Sequence, residues 1–159
     1  MLDFIVYSNE IRTVYKQNHP HYAYSQRIIA DGADNGQLNV SIYEVPPGKS
    51  AYPYHYHHKR VEVYYIASGI GLLRTATGEQ VVTPGDVFVF LPHMHGAHML
   101  TNLSETELLC YLDVGTHHDL DLSYLVDSGK VSVHGEGIRG TLEPDATTDS
   151  YKTDSYKVE

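Results

Sequence analysis

Between Gly48 and Gly69 the chain reads GKSAYPYHYHHKRVEVYYIASG, a stretch with the composition of β-structure that carries His55, His57 and then Glu62. Side chains alternate faces along an extended strand, so His55 and His57 point the same way as near neighbours. Glu62 opens the apolar run Val61–Ala67, which is expected to be the next strand, folded back across a short turn at His58–Arg60. Two imidazoles and a carboxylate then converge on one point, three ligands of a metal site. His58 is the rival to His57, but it falls on the opposite face of the strand from His55 unless a bulge intervenes.

Residues 78–102, GEQVVTPGDVFVFLPHMHGAHMLTN, continue the pattern. They predict a strand, a Pro84-Gly85-Asp86 turn, a strand of alternating Val and Phe, a turn at Pro92 and a further strand beginning near His98. Together the two stretches resemble the paired motifs of the cupin superfamily. The first motif is matched by Gly48, His55, His57, Glu62 and Gly69, with a spacer before His55 one residue longer than usual. The second is matched by Gly78, Pro84, Gly85, His98 and Asn102, although Pro84 and Gly85 are adjacent here and His98 lies well beyond the turn. The resemblance covers roughly residues 38–115. It implies an all-β double-stranded β-helix, a jelly-roll barrel, holding one divalent metal ion (Mn, Fe, Ni or Zn) on His55, His57, Glu62 and His98. His93 and His95 flank Pro92, and either is an alternative to His98; otherwise they stand at the barrel mouth, where with Tyr64 they are candidates for contact with substrate.

The 159 residues are one domain's worth of chain. Eleven basic residues against twenty acidic ones, a net charge of −9, argue against a nucleic-acid surface, which needs a concentrated basic patch. No apolar run approaches the length of a membrane span, and the N-terminus has no basic segment ahead of an apolar stretch. A cytoplasmic protein is expected, without nucleic-acid or membrane partners. Cys110, the single cysteine, falls in the apolar run Leu108–Val114 and is expected to be a buried, inert thiol. Fourteen tyrosines and no tryptophan suit strands, and also a partly wet cavity wall where the ring packs and the hydroxyl finds a partner.

Along the chain, residues 1–36 are expected to hold short strands (2–7, 12–15 and 25–30) packing on the barrel or on a dimer partner, with a turn at 31–36. Residues 37–115 form the barrel core, with strands at 37–45, 61–67, 70–76, 79–83, 87–91, 97–102 and 106–114, broken by Gly and Pro. Residues 116–140 are a C-terminal extension: 115–121 is a polar loop, 122–127 at most a short strand or turn, and 131–133 one more strand. Residues 141–159 are an acidic polar tail with a DSYK repeat.

Three neutral imidazoles and a carboxylate leave coordination positions open for a substrate oxygen or water. The expected activity is that of a metal-dependent oxidoreductase, dioxygenase-like, or isomerase acting on a small polar or aromatic molecule. The absence of a Gly-rich loop opening a helix, and of clustered Arg, argues against a phosphate cradle. The alternative is a non-catalytic cupin that binds or senses a small molecule. A homodimer is expected.

Overall fold

The computed structural model describes residues 11–135 and 137–143. Two antiparallel sheets face one another. The first runs in the order β1 (Thr13–Lys16), β2 (Tyr24–Ala30), β3 (Leu38–Val45), β10 (Leu109–Thr116), β5 (Glu62–Ser68) and β8 (Val87–Phe90). The second runs β13 (Ile138–Leu142), β12 (Lys130–Gly135), β11 (Leu120–Leu125), β4 (His55–His57), β9 (His98–Asn102), β6 (Gly71–Thr75) and β7 (Gly78–Val82). This is the expected all-β double-stranded β-helix. Among the described residues no helix is long and apolar enough to cross a membrane.

Period-two alternation builds the interior. In β10 every second residue is buried (Leu109, Tyr111, Asp113 and Gly115), and in β9 His98, Leu100 and Asn102 are. Val45, Ile66 and Leu109 are wholly excluded from solvent, each worth about 1.5–3 kcal/mol relative to exposure. Tyrosines fill much of the space that a tryptophan would take elsewhere. Tyr43 stacks on Tyr111 with ring centroids 5.1 Å apart, and the hydroxyls of Tyr24, Tyr52 and Tyr43 form a chain with contacts of 3.2 and 3.0 Å. Gly69, which closes the first motif, has φ +87°, and a Cβ there would lie 2.6 Å from the Leu108 carbonyl. The turn between β5 and β6 therefore requires glycine.

Several expectations are corrected. β4 and β5 do not form a hairpin: β4 pairs with β9 and β11, whereas β5 pairs with β10 and β8 in the opposite sheet. The expected turn at 31–36 is one helical turn, α1 (Gly32–Asn35), capped by the Asp31 side chain accepting from Ala33 N–H. The polar loop at 115–121 is shorter than expected, because β10 runs to Thr116 and β11 begins at Leu120. The strand Ile138–Leu142 is not among those expected: it pairs with β12 but is exposed throughout, so it has no buried phase to read. Cys110 is half-buried on the outer phase of β10, and burial pushes its thiol pKa up. The strand expected at 2–7 and the DSYK repeat lie outside the described residues.

Candidate metal centre

His55 and His57 project from the same face of β4, and His55 is paired directly with His98, the first residue of the neighbouring β9. Glu62, the first residue of β5, meets them from the opposite sheet. One ligand atom from each of His55, Glu62 and His98 lies within 4.8 Å of the others, and all three residues are buried. Glu62 Oε2 is 3.2 Å from His98 Nε2 and 3.4 Å from His57 Nε2, so His57 borders the same point. His58 is exposed on the other face, with its ring against His93.

The hydrogen bonds behind the rings decide which nitrogens face the centre. His55 Nδ1–H donates to the Pro53 carbonyl (2.8 Å), His57 Nδ1–H to Asp121 Oδ2 (2.7 Å) and His98 Nδ1–H to the Gly96 carbonyl (2.9 Å). Each Nε2 is thereby left with a lone pair, the tautomer a metal ligand requires. Glu62 Oε2, also an acceptor, is buried with no hydrogen-bond partner. A buried oxygen without a hydrogen-bond partner, 3.2 and 3.4 Å from two imidazole nitrogens, is an arrangement that a cation satisfies. The residues present therefore fit a divalent ion, with His55, Glu62 and His98 grouped to hold it and His57 beside them.

Burial, reinforced by repulsion from His98, lowers the His55 pKa to about 3, so its ring is neutral at pH 7. Burial raises the proton affinity of Glu62, but His57, Arg60 and His98 outweigh it and hold the carboxyl well below its ordinary range. Asp121 is treated likewise: burial opposes ionisation, and the His57 bond and Lys59 N–H (2.8 Å to Oδ1) reverse the balance.

Of the other sequence candidates, Tyr64 is buried and its hydroxyl lies 3.3 Å from His98 Nε2. Burial, and then the Glu62 charge, push its pKa well above 10, so it keeps its proton. His93 is exposed in a left-handed backbone conformation (φ +70°), with its N–H bonded to the His57 carbonyl. His95 is exposed and lines a groove of about 370 Å³ together with Leu73, Thr75, Phe88, Phe90 and Ala97. Phe90 stacks on His98, centroids 3.7 Å apart, and stands between that groove and the centre. Beside His55, Tyr64 and His98 there is only about 10 Å³ of free space, room for one water. The roomier cavity and the chemistry are thus in different places. Asn102, the last residue of the second motif, donates to the carbonyls of Val45 and Glu107 and ties β9 to the first sheet.

Sequence reading missed Asp121 and Ser123, which reach His57 from β11, and the Arg60–Asp113 pair behind Glu62. The available signal was the strict alternation of Leu120–Leu125, in which the polar phase, Asp121 and Ser123, is the buried one.

A family model described as the cupin domain matches residues 41–115. No curated protein matches the sequence. Among solved structures, a sugar phosphate isomerase from a cupin superfamily of Silicibacter pomeroyi superposes with a TM-score of 0.74 at 20% identity, over 91% of this chain and 95% of that one. A protein from Acidithiobacillus ferrooxidans, provisionally named a sugar phosphate isomerase, gives 0.73 at 24% identity, over 88% and 90%. A predicted oxalate decarboxylase from Thermotoga maritima gives 0.60 at 22% identity, over 72% and 100%. At these identities the likeness concerns the fold.

Proposed function

The chain belongs to the cupin superfamily, and from that premise we propose that it is a metal-dependent enzyme that moves a proton on a small polar substrate bound through oxygen, an isomerase-type reaction. The observation that carries this reading is the Tyr64 hydroxyl, a protonated phenol 3.3 Å from the nitrogen that His98 offers to the centre. His55, His57, Glu62 and His98 would hold a divalent ion, which would supply Lewis-acid activation of a substrate carbonyl or hydroxyl. Tyr64 then holds a proton where charge develops on the substrate oxygen. His95 and the groove it lines supply the volume a small molecule needs, with Phe90 as the side chain to be displaced between groove and centre. His93 stands outside that groove, and a part for it in binding requires the Pro92 turn, which it shares with His95, to move.

The names of the two isomerase neighbours are consistent with this class but, at their level of identity, do not choose the substrate. The dioxygenase-like reading stays second to proton transfer because of Tyr64. The non-catalytic reading is favoured by one observation, the single-water volume beside the ligands. The two are separated by incubating metal-loaded protein with small α-hydroxy ketones and aldehydes in D2O. Proton transfer predicts deuterium incorporation by the wild type, reduced about 10²–10⁴-fold in Tyr64→Phe at unchanged metal content. A loaded wild type that labels none of them contradicts it and favours the binder.

We also read the protein as a cytosolic homodimer. Val63, Tyr65, Val87, Val89, Leu112 and Val114 form two cross-strand apolar rows on the outer face of the first sheet, and Val87 and Val89 are about 60% exposed. Sedimentation is expected to give twice the chain mass, and Val89→Glu to give the monomer. A monomeric wild type at micromolar concentration contradicts the dimer.

A further inference from the structure

We propose that Arg60 is a positioning residue that aims Glu62 at the metal, and that Asp113 and Gly115 are in place to hold Arg60 there. The proposal rests on the metal-site reading above. A glutamate has several rotamers, and only one carboxylate orientation turns an oxygen to the three imidazoles. Arg60 Nε lies 3.1 Å from Glu62 Oε1, an ion pair outside hydrogen-bond geometry, and that contact leaves Oε2 on the side of His57 and His98. The far end of the guanidinium is held in turn, with Nη2 3.3 Å from Asp113 Oδ2. A planar guanidinium spans two carboxylates in this way, whereas an ammonium reaches them as one point charge.

Gly115 supplies the space. It is the strand partner of Glu62 on β10, and a Cβ there would collide with both Arg60 Nε and Nη2. Glycine weakens a strand interior, so its presence is accounted for by the side chain lying over it. The backbone around Arg60 is fixed on both sides: Lys59 N–H donates to Asp121 Oδ1, and Val61 N–H to Thr116 Oγ1 at 3.0 Å. Asp121 thus orients His57 with one oxygen and the Arg60 loop with the other.

The test is a Co²⁺ titration of metal-stripped protein, following affinity and the visible ligand-field spectrum, with thermal melts run in parallel. Arg60→Met is expected to weaken Co²⁺ binding by about 10–100-fold, the usual effect of losing an outer partner of a ligand, and to change the spectrum. Arg60→Lys should fall between Arg60→Met and wild type. Gly115→Ala should weaken binding in the same direction, and combining it with Arg60→Met should add nothing further. A purely structural ion pair predicts lower melting temperatures with wild-type affinity and spectrum in every variant, and that result overturns the proposal. Should Arg60→Met not fold, the double variant Arg60→Met/Asp113→Asn, which removes the second buried carboxylate that would lose its partner, takes its place, and unchanged affinity there or in Gly115→Ala is equally decisive. A wild type that takes up no Co²⁺ overturns the metal reading itself and the clamp with it.

Discussion

Glu62→Gln is expected to lose divalent-metal affinity by more than the roughly 10–100-fold that removal of an outer partner costs, because it deletes the only anionic ligand while preserving shape. It should also destabilise the metal-free protein. Glu62 is buried against Arg60, and removing one partner of such a pair typically costs roughly 3–5 kcal/mol. The lower end of that range is expected, since Asp113 still faces Arg60. The glutamine can keep its amide oxygen towards Arg60 while its NH2 donates to the nitrogens of His57 and His98, which relieves part of the loss. Calorimetric titration and thermal melts measure the two effects separately. Unchanged metal affinity would remove Glu62 from the ligand set, and an unchanged melting temperature would mean that its contact with Arg60 carries no net stability.

The second large effect concerns pH, in metal-stripped protein, where two buried groups act in opposite directions. His55 is held at about pKa 3 by burial and by His98, against an ordinary 6.5. The unfolded chain therefore binds a proton there that the folded chain refuses, and stability is fully present above about pH 6.5 and falls as pH drops towards 3. Asp113 is raised to about 7 by burial and the Glu62 charge, against an ordinary 3.8. The folded chain keeps that proton where the unfolded chain has lost it, so this contribution grows as pH drops from 7 towards 4. Each amounts to about 1.4 kcal/mol per pH unit within its window, and in the wild type they nearly cancel between about pH 4.5 and 6.5. Single variants should unmask them. Asp113→Asn is expected to lose stability steadily on acidification across that range, and His55→Gln to gain it. Parallel stability curves for the two variants, followed by urea unfolding, would contradict both assignments.

The strands at Gln37–Val45, Val87–Leu91 and from His98 to Asn102 were legible as short runs between Gly and Pro, but the inward phase of the first two was not: β3 buries Ser41, Tyr43 and Val45 rather than Leu38, Val40 and Ile42, and Val87–Leu91 is apolar on both phases. The histidines were legible because His-x-His followed by Glu has few uses in an extended chain. What else was not legible depended on polar residues turned inward. Asp121, Ser123 and Asp113 occupy buried strand positions that a hydrophobicity pattern assigns to solvent, and only their partners across the barrel explain them. The β4–β5 hairpin failed for a related reason. A short turn between two extended runs suggests local pairing, but here β4 is taken up by β9 and β11, and the chain crosses from one sheet to the other at Arg60. The crossing brings Glu62 opposite the histidines rather than beside them. It also places Arg60 behind the carboxylate, a contact with no sequence signature at all.

Elemental analysis of protein purified without a polyhistidine tag, on wild type, His57→Ala, His58→Ala and His98→Ala together, tests the central claim most directly. The account predicts one divalent ion per chain in the wild type and in His58→Ala, and most of it lost in His57→Ala and His98→Ala. A metal-free wild type that stays so after reconstitution, or a metal content that follows His58 rather than His57, would contradict it.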